Sequence, residues 1–351
     1  MATKTLAVKY RPTTFDDVTE QSSIKLILQQ QLQSNAVKNA YLFCGPAGCG
    51  KTTCARIFAD AINEHNGTPI ELDAASNNGV DDVREIIQQA QTRSINSEYK
   101  IFIIDECHAL SNNAWQAMLK IIEEPPVKSI FIFCTTDPQK IPKTILSRVQ
   151  RYDFQRISHQ GIVNRLVHIL SSEYPSKTGK NDVNINVDRE SLEYIAKIAD
   201  GGMRDAISLM DKALAYNKDL SLENVVSALG TIDYDTMLDI TDKILSVDAE
   251  AVIVKIEELF SDGKDLKHFI RQYLQFILDV NKCTLGCDWK YISIPKLDSY
   301  VKWIDGLTND NLITLEDLME TLMHLNSNIK YSASPKSDIE CELLVFIRDG
   351  E

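Results

Sequence analysis

Tyr41-Leu42-Phe43-Cys44-Gly45-Pro46-Ala47-Gly48-Cys49-Gly50-Lys51-Thr52 is the stretch that decides the fold. An apolar run leads into a glycine-rich turn, which opens onto a helix-forming segment, residues 52–62. That order, strand then loop then helix, is the setting a phosphate-binding loop requires. Glycine at 45, 48 and 50 permits backbone conformations closed to other residues, so that successive N–H groups can wrap a polyphosphate. Lys51 neutralises the outer phosphates and Thr52 offers a hydroxyl to Mg²⁺, while the following helix adds its positive N-terminal dipole. Pro46, Ala47, Cys49 and Thr53 complete the loop. The stretch predicts a nucleoside triphosphate site in an α/β domain.

The complementary half of such a site lies downstream. Lys100-Ile101-Phe102-Ile103-Ile104 is a continuous apolar run, as expected of a strand buried on both faces of a parallel sheet, and it ends in Asp105-Glu106-Cys107-His108. Carboxylates at a strand's carboxyl end lie where open α/β sheets bind ligands. Asp105 is placed to hold Mg²⁺, directly or through water, and Glu106 to orient and polarise an attacking water. A solvated acidic loop would explain an acidic pair, but not its position at the end of an apolar strand downstream of a phosphate loop.

Outward from these two stretches, the first ~155 residues alternate strand and helix, the α/β signature. Strands are expected at residues 41–44, 70–73, 100–105, 129–136 and 151–154. Helices are expected at 80–90, where Val80, Val83, Ile86, Ile87 and Ala90 keep helical spacing, and at 113–122. From His159 onward strand signals vanish. Residues 191–199 and 203–215 read as two amphipathic helices broken by Gly201-Gly202, and helices continue to the end. Residues 171–187, rich in Ser, Lys, Gly, Asn and Asp, read as a loop. No internal repeat or low-complexity segment is evident.

Composition fits this frame. A chain of 351 residues, 44% hydrophobic and 25% charged, has the makings of two or three ordinary globular domains. The N-terminus runs straight into polar sequence and the apolar runs are strand-sized, so no signal peptide or membrane span is expected, and a cytoplasmic location follows. Eight scattered cysteines suit reduced thiols in that compartment. The net charge of −13 argues against a general polyanion binder but leaves room for a local basic channel.

Further motifs point to a family. Lys9-Tyr10-Arg11-Pro12 with Phe15, Val18 and Gln21 precedes the phosphate loop. After it come Asp73-Ala74-Ala75-Ser76-Asn77-Asn78-Gly79-Val80, Asp105-Glu106-Cys107-His108, residues 119–126, residues 135–142, Ser147-Arg148 and Gly202-Met203-Arg204-Asp205. In order and spacing the chain resembles the gamma/tau subunit of bacterial DNA polymerase III, the AAA+ motor of the sliding-clamp loader, over essentially its whole length. The resemblance implies an AAA+ P-loop NTPase domain with a parallel sheet at 1–156, a helical lid at 157–226 and an all-helical, oligomerising collar at 227–351. It implies an adenine pocket lined by the segment from Lys9 to Pro12, with Tyr10 and Arg11, and by Val18. Thr136 matches the first sensor of the γ-phosphate or its attacking water, and Arg204 the second sensor, reaching from the lid to its own subunit's nucleotide. Arg148 matches the arginine finger that enters a neighbouring subunit's site. ATP and Mg²⁺ are the implied cofactors. The implied partners are a sliding clamp, primer-template DNA and other loader subunits, in a pentamer, without a membrane.

Two departures from the family pattern stand out. The typical member carries a four-cysteine zinc module before the Asp-Ala-Ala-Ser strand, whereas Asn63-Glu64-His65-Asn66-Gly67-Thr68-Pro69 makes that connection here without cysteine, so no zinc is expected. Cys44, Cys49 and Cys54, and the pair Cys283 and Cys287, read as plain thiols. Val149 replaces the usual cysteine after Ser147-Arg148, a packing change that leaves the finger intact. With Glu351 its last residue, the chain is expected to be a short form without the tau-specific domains. For DNA, the helix starts near residues 77–80 and 111–114, with Lys140 and Lys143, are candidates, and ordinary capping explains them equally well. Two other readings stay in play. A branch-migration helicase on the same ATPase core would need strands of a winged-helix domain within residues 224–344, and a non-hydrolysing stator would commonly have lost part of the phosphate loop.

Overall fold

The computed structural model describes residues 4–94, 96–174, 186–229 and 234–349. Its centre is a parallel sheet of five strands: β1 (Ala40–Cys44), β2 (Ile70–Asp73), β3 (Lys100–Asp105), β4 (Ser129–Thr135) and β5 (Gln150–Asp153). They stand in the order β2-β3-β4-β1-β5. The three inner strands are apolar on both faces because both faces are covered: every residue of β1 and β4 is buried. β2, at an edge, alternates between half-buried and exposed. Register stacks Phe102 on Phe131, with ring centroids 5.1 Å apart and planes 12° from parallel.

Helices α1 (Leu6–Lys9) and α2 (Ser22–Gln33) precede β1, and α3 (Lys51–Ile62), α4 (Val80–Ala90), α5 (Asn112–Glu123) and α6 (Lys143–Leu146) connect the strands. One face of the sheet, with Leu42, Ile104 and Phe133, packs on Trp115 and Met118 of α5 and Val83 and Ile86 of α4. The other, with Tyr41, Phe43 and Ile132, packs on Phe58 of α3 and Leu28 of α2. Because β-strand side chains alternate in direction, one apolar run serves both layers. Beyond the sheet come α7 (His159–Glu173), α8 (Arg189–Ile198) and α9 (Met203–Tyr216). The later helices are α10 (Leu222–Leu229), α11 (Tyr234–Leu245), α12 (Ala249–Ser261), α13 (Leu266–Thr284), α14 (Asp298–Asp305), α15 (Asn309–Asn328) and α16 (Pro335–Asp349).

Two compact units result. One comprises residues 1–185 with 195–214, the other residues 186–194 with 215–351. Most strand and helix expectations shift by only one or two residues. The loop expected at 171–187 begins late, since α7 continues through Glu173 on a hydrophobic stripe that includes Leu166, Ile169 and Leu170; residues 175–185 of that stretch lie outside those described. Among the described residues, strand pairing beyond His159 is reduced to one parallel bridge, Val187 with Leu220. Among the described residues no helix is long and apolar enough to cross a membrane.

The second unit has its own core, centred on α13. Leu266, Phe269, Ile270, Tyr273, Phe276, Ile277 and Val280 recur at helical spacing and are all buried. Asp279 interrupts that stripe and is fully buried. Its Oδ1 accepts from Lys282 Nζ at 2.7 Å and Gln275 Nε2 at 3.0 Å, and its Oδ2 from the Ser293 amide at 2.7 Å. One carboxylate thus anchors the segment that returns from α13 toward α14. Removing it leaves the Ser293 amide without this acceptor and the partly exposed Lys282 with Tyr291 O, at 3.2 Å, in its place. Asp279→Ala is therefore expected to destabilise this unit by roughly 2–4 kcal/mol. Urea denaturation followed by Trp289 and Trp303 fluorescence, in a Trp115→Phe background, checks it, and an unchanged midpoint would contradict it.

Candidate functional site

The loop between β1 and α3 is fixed from several sides. Gly45 has φ +151°, its amide donates to Thr135 O at 3.2 Å, and a Cβ there would sit 2.5 Å from Phe154 O. Only glycine fits so close to the β5 exit. At the far end the Lys51 side chain turns back into the loop and is nearly buried, at 5% exposure. Its Nζ donates to Gly45 O at 2.8 Å and Pro46 O at 2.7 Å, and it makes no ion pair among the described residues. An ammonium held by neutral carbonyls within a ring of loop amides is suited to receive a polyanion.

Beside it, the carboxyl ends of β3 and β4 carry the polar chemistry. Thr52 Oγ1 donates to Asp105 Oδ2 at 2.7 Å, so the two oxygens that could hold a hard cation are already adjacent. The Glu106 amide donates to Asp105 Oδ1 at 3.0 Å, and Glu106 itself sits at φ +46°, an uncommon conformation for a residue with a side chain. Its Oε2 accepts from Thr136 Oγ1 at 3.0 Å and lies 3.3 Å from His108 Nδ1. The same His108 nitrogen is 3.2 Å from Thr135 Oγ1, which also accepts from the Asp137 amide. Glu106 is thus tied to the end of β4 both directly and through His108.

The third wall is helical. The amide of Met203, first residue of α9, donates to Gly48 O at 3.0 Å. A Cβ on Gly48, at φ +70°, would lie 2.9 Å from Gly202 Cα, so two glycines allow backbone to touch backbone. These elements enclose a cavity of about 630 Å³, the right order for a nucleotide. Of the residues expected from sequence, Tyr10, Arg11, Pro12, Val18, Ala47, Gly48, Cys49, Gly50, Lys51, Thr52, Thr53, Asp105, Glu106 and Arg204 line it. Gly45 and Pro46 form the back of the loop through the carbonyls that hold Lys51. Thr136 is reached through Glu106. Arg148 is not among the lining residues. It is partly exposed after α6, where it donates to Thr144 O at 2.8 Å and Ser147 Oγ at 3.0 Å and pairs with Glu123 at 2.7 Å.

Sequence reasoning passed over His108, although it stands in the quoted Asp-Glu-Cys-His string, and over Arg165, whose position on α7 gives no local signal. Five buried thiols underlie the site. Burial pushes Cys44 up to about 11 and Cys54 to about 12, raises Cys49, and holds Cys107 and Cys134 well above the ordinary thiol range. Near neutral pH all five are therefore protonated and chemically quiet. Cys283 is partly buried, while Cys287 and Cys341 are exposed. Among the described residues no group of three or more His, Cys, Asp or Glu is arranged to hold a metal ion.

Comparison with known proteins adds three family matches: DNA polymerase III delta subunit over residues 68–158, the ATPase lid domain of DNA polymerase III clamp loader subunits over 161–219, and domain III of DNA polymerase III subunits gamma and tau over 220–298. The Bacillus subtilis DNA polymerase III subunit tau is 39% identical over 293 residues, covering 77% of this chain and 50% of the relative. The chain thus spans about half the length of the tau relatives it matches. The Buchnera aphidicola DNA polymerase III subunit gamma is 29% identical over 97% of both chains. Among solved structures, the Thermotoga maritima RuvB Holliday junction branch migration motor superposes with a TM-score of 0.51 at 18% identity, covering 73% of this chain and 86% of that one, which is a likeness of fold.

The contact of Gly48 with Gly202 can be tested without any ligand. Gly48→Ala should force the loop and the start of α9 apart, because the new methyl meets backbone at 2.9 Å in a conformation alanine rarely adopts. Hydrogen exchange read by mass spectrometry should show the Met203 amide losing protection at least ~10-fold while β1, β3 and β4 keep theirs. Equal exchange at Met203 in both proteins would contradict the contact.

Proposed function

Because this chain belongs to the gamma/tau family of DNA polymerase III clamp-loader subunits, we propose that it is an ATP-hydrolysing motor subunit that opens a sliding clamp and loads it onto primed DNA. One observation carries the reading: Lys51, the Thr52–Asp105 oxygen pair, Glu106 and Arg204 converge on a single nucleotide-sized cavity. Each has a part in phosphoryl transfer, which depends on positioning and charge neutralisation rather than covalent chemistry.

In this reading Lys51 exchanges its two loop carbonyls for phosphate oxygens, and the loop amides hold the rest of the chain of phosphates. Thr52 and Asp105 hold Mg²⁺, which when bound offsets charge across the phosphates. Glu106 orients the attacking water, and Thr136, bonded to it in this structure, acts as the first sensor. Arg204 reaches the phosphates of its own subunit from α9. Tyr10, Arg11, Pro12 and Val18 enclose the adenine. Arg148, exposed and held by Glu123, serves the site of a neighbouring subunit. The cofactors are ATP and Mg²⁺ without zinc. The partners are a clamp, primer-template DNA and further loader subunits in a pentamer, and the setting is cytoplasmic. We take 1–156 as the nucleotide-binding domain, 157–226 as the lid and 227–351 as the collar.

The competing helicase reading loses its footing in the second half of the chain: among the described residues after 221 there are helices and no strand, where a winged helix would need a sheet. ATPase rate with and without clamp and primed DNA separates the two. Stimulation by clamp and DNA together is expected. Stimulation by DNA alone, with strand displacement, would favour the helicase.

The role of Arg148 yields the sharper test. Arg148→Ala should bind ATP normally yet lose stimulated hydrolysis by roughly 10³- to 10⁵-fold. Mixed with Lys51→Ala chains, which keep the arginine but lack the loop charge, it should regain activity in co-assembled oligomers. Co-assembly without any recovered activity would place Arg148 in its own subunit's service.

A further inference from the structure

We infer that Arg165 is a positioning residue for the base end of the nucleotide, fastening the N-terminal arm across the mouth of the cavity; this rests on the nucleotide-site reading above. The arm cannot hold itself there. α1 is a single turn of four residues with none buried and no side-chain cap, far below the length at which a helix is stable alone. Yet Ala7, Tyr10, Arg11 and Pro12 all line the cavity. Something outside the arm must fix them.

Several ties do so, all to the helices that follow the sheet; the Tyr10 hydroxyl bonds with Glu173 and Ser172 on α7. The Leu6 amide donates to Asp211 Oδ2 on α9 at 3.1 Å, Lys9 pairs with Glu173 at the end of α7, and Arg165 Nη2 donates to Tyr10 O at 3.0 Å. The lysine pair has an exposed cation and contributes little. Arg165 differs from the other anchors, Asp211, Glu173 and Ser172, because it belongs to the cavity wall as well as to the arm's tether. It is half-buried and, among the described residues, pairs with no carboxylate. A charged donor on a neutral carbonyl is a strong hydrogen bond in such a setting, and a guanidinium has further N–H groups beyond the one given to Tyr10.

The consequence is a division of labour along the nucleotide. Lys51 and the loop amides act on phosphates, whereas Arg165 acts through Tyr10 on the nucleoside. The two ends of the cavity are also linked: α7 holds the arm through Arg165, and α9 touches the loop through Met203 and Gly48. Base recognition therefore depends on where the helices stand.

Equilibrium titration of the full chain with Mg²⁺ and three probes, ATP, GTP and inorganic tripolyphosphate, tests this. Arg165→Ala should weaken ATP binding roughly 10- to 100-fold, the loss expected of one charge-assisted hydrogen bond, and should narrow the preference for ATP over GTP. Tripolyphosphate affinity should stay within about two-fold. A general structural role would not change the ratio of ATP to tripolyphosphate affinity. Arg165→Gln, which keeps an uncharged NH2 donor, should fall between wild type and Ala, and covers the case in which Ala is poorly folded. Lys51→Ala should lose both ATP and tripolyphosphate. Equal weakening of ATP and tripolyphosphate by both Arg165 variants, or no weakening of ATP, overturns the inference while leaving the site intact. Failure of the wild-type chain to bind any of the three would remove the nucleotide-site reading, and this inference with it.

Discussion

A buried ammonium without a countercharge is the constraint around which the first unit is organised. Lys51 is removed from water and its contacts are two carbonyls of its own loop. Desolvating a charge costs several kcal/mol unless other groups compensate, and two neutral acceptors compensate only in part. The arrangement persists because the loop has nowhere else to go. Its start is wedged against Phe154, its middle against Gly202, and its end is committed to α3. A polyanion held in the loop would supply a countercharge to Lys51. The neighbouring carboxylates have hydrogen bonds of their own: Asp105 accepts from Thr52, and Glu106 from Thr136.

The sheet order brings those groups together. With β1 placed between β4 and β5, and β3 beside β4, the carboxyl ends carrying the loop, Asp105 and Thr135 open at the same end of the parallel sheet. Residues distant in sequence become neighbours without a long side chain reaching across. The edge strand β2 contributes differently: Asp73, opposite Asp105 in register, turns its carboxylate back onto the amide of Ala75 and so stabilises a turn.

How legible this was depends on the kind of interaction. β3 and β4 declare themselves because burial on both faces demands unbroken apolar runs, and Asp105 and Glu106 stand out against them. The phosphate loop is legible because its glycines and lysine act locally. Contacts made by backbone across long separations leave no such trace. Gly202 reads as a helix break, yet a Cβ there would crowd Asp205 at 2.9 Å, and its Cα touches Gly48. His108 is visible as a letter beside two acids, but its position between Glu106 and Thr135 requires β4 to be in place. Arg165 sits among ordinary polar residues of an amphipathic helix, and its partner is a carbonyl 155 residues earlier, which no local pattern encodes. The end of α7 was misjudged because Ser171 and Ser172 look like loop, whereas each hydroxyl bonds to a carbonyl four residues back and stays in the helix.

The inner place of β1, between β4 and β5, also shapes how the chain comes off the ribosome. Its five buried residues have only β4 and β5 to pair with, and about 85 residues separate Cys44 from Ser129. At ~5–20 residues per second, that leaves an apolar strand without its partners for roughly 4–17 s during synthesis. Helices α2 and α3 can shelter Tyr41 and Phe43 in the meantime, but the strand's hydrogen-bonding edges stay open. The nascent first unit therefore passes through an interval with unpaired strand edges, the kind of surface that favours aggregation, which the finished protein conceals.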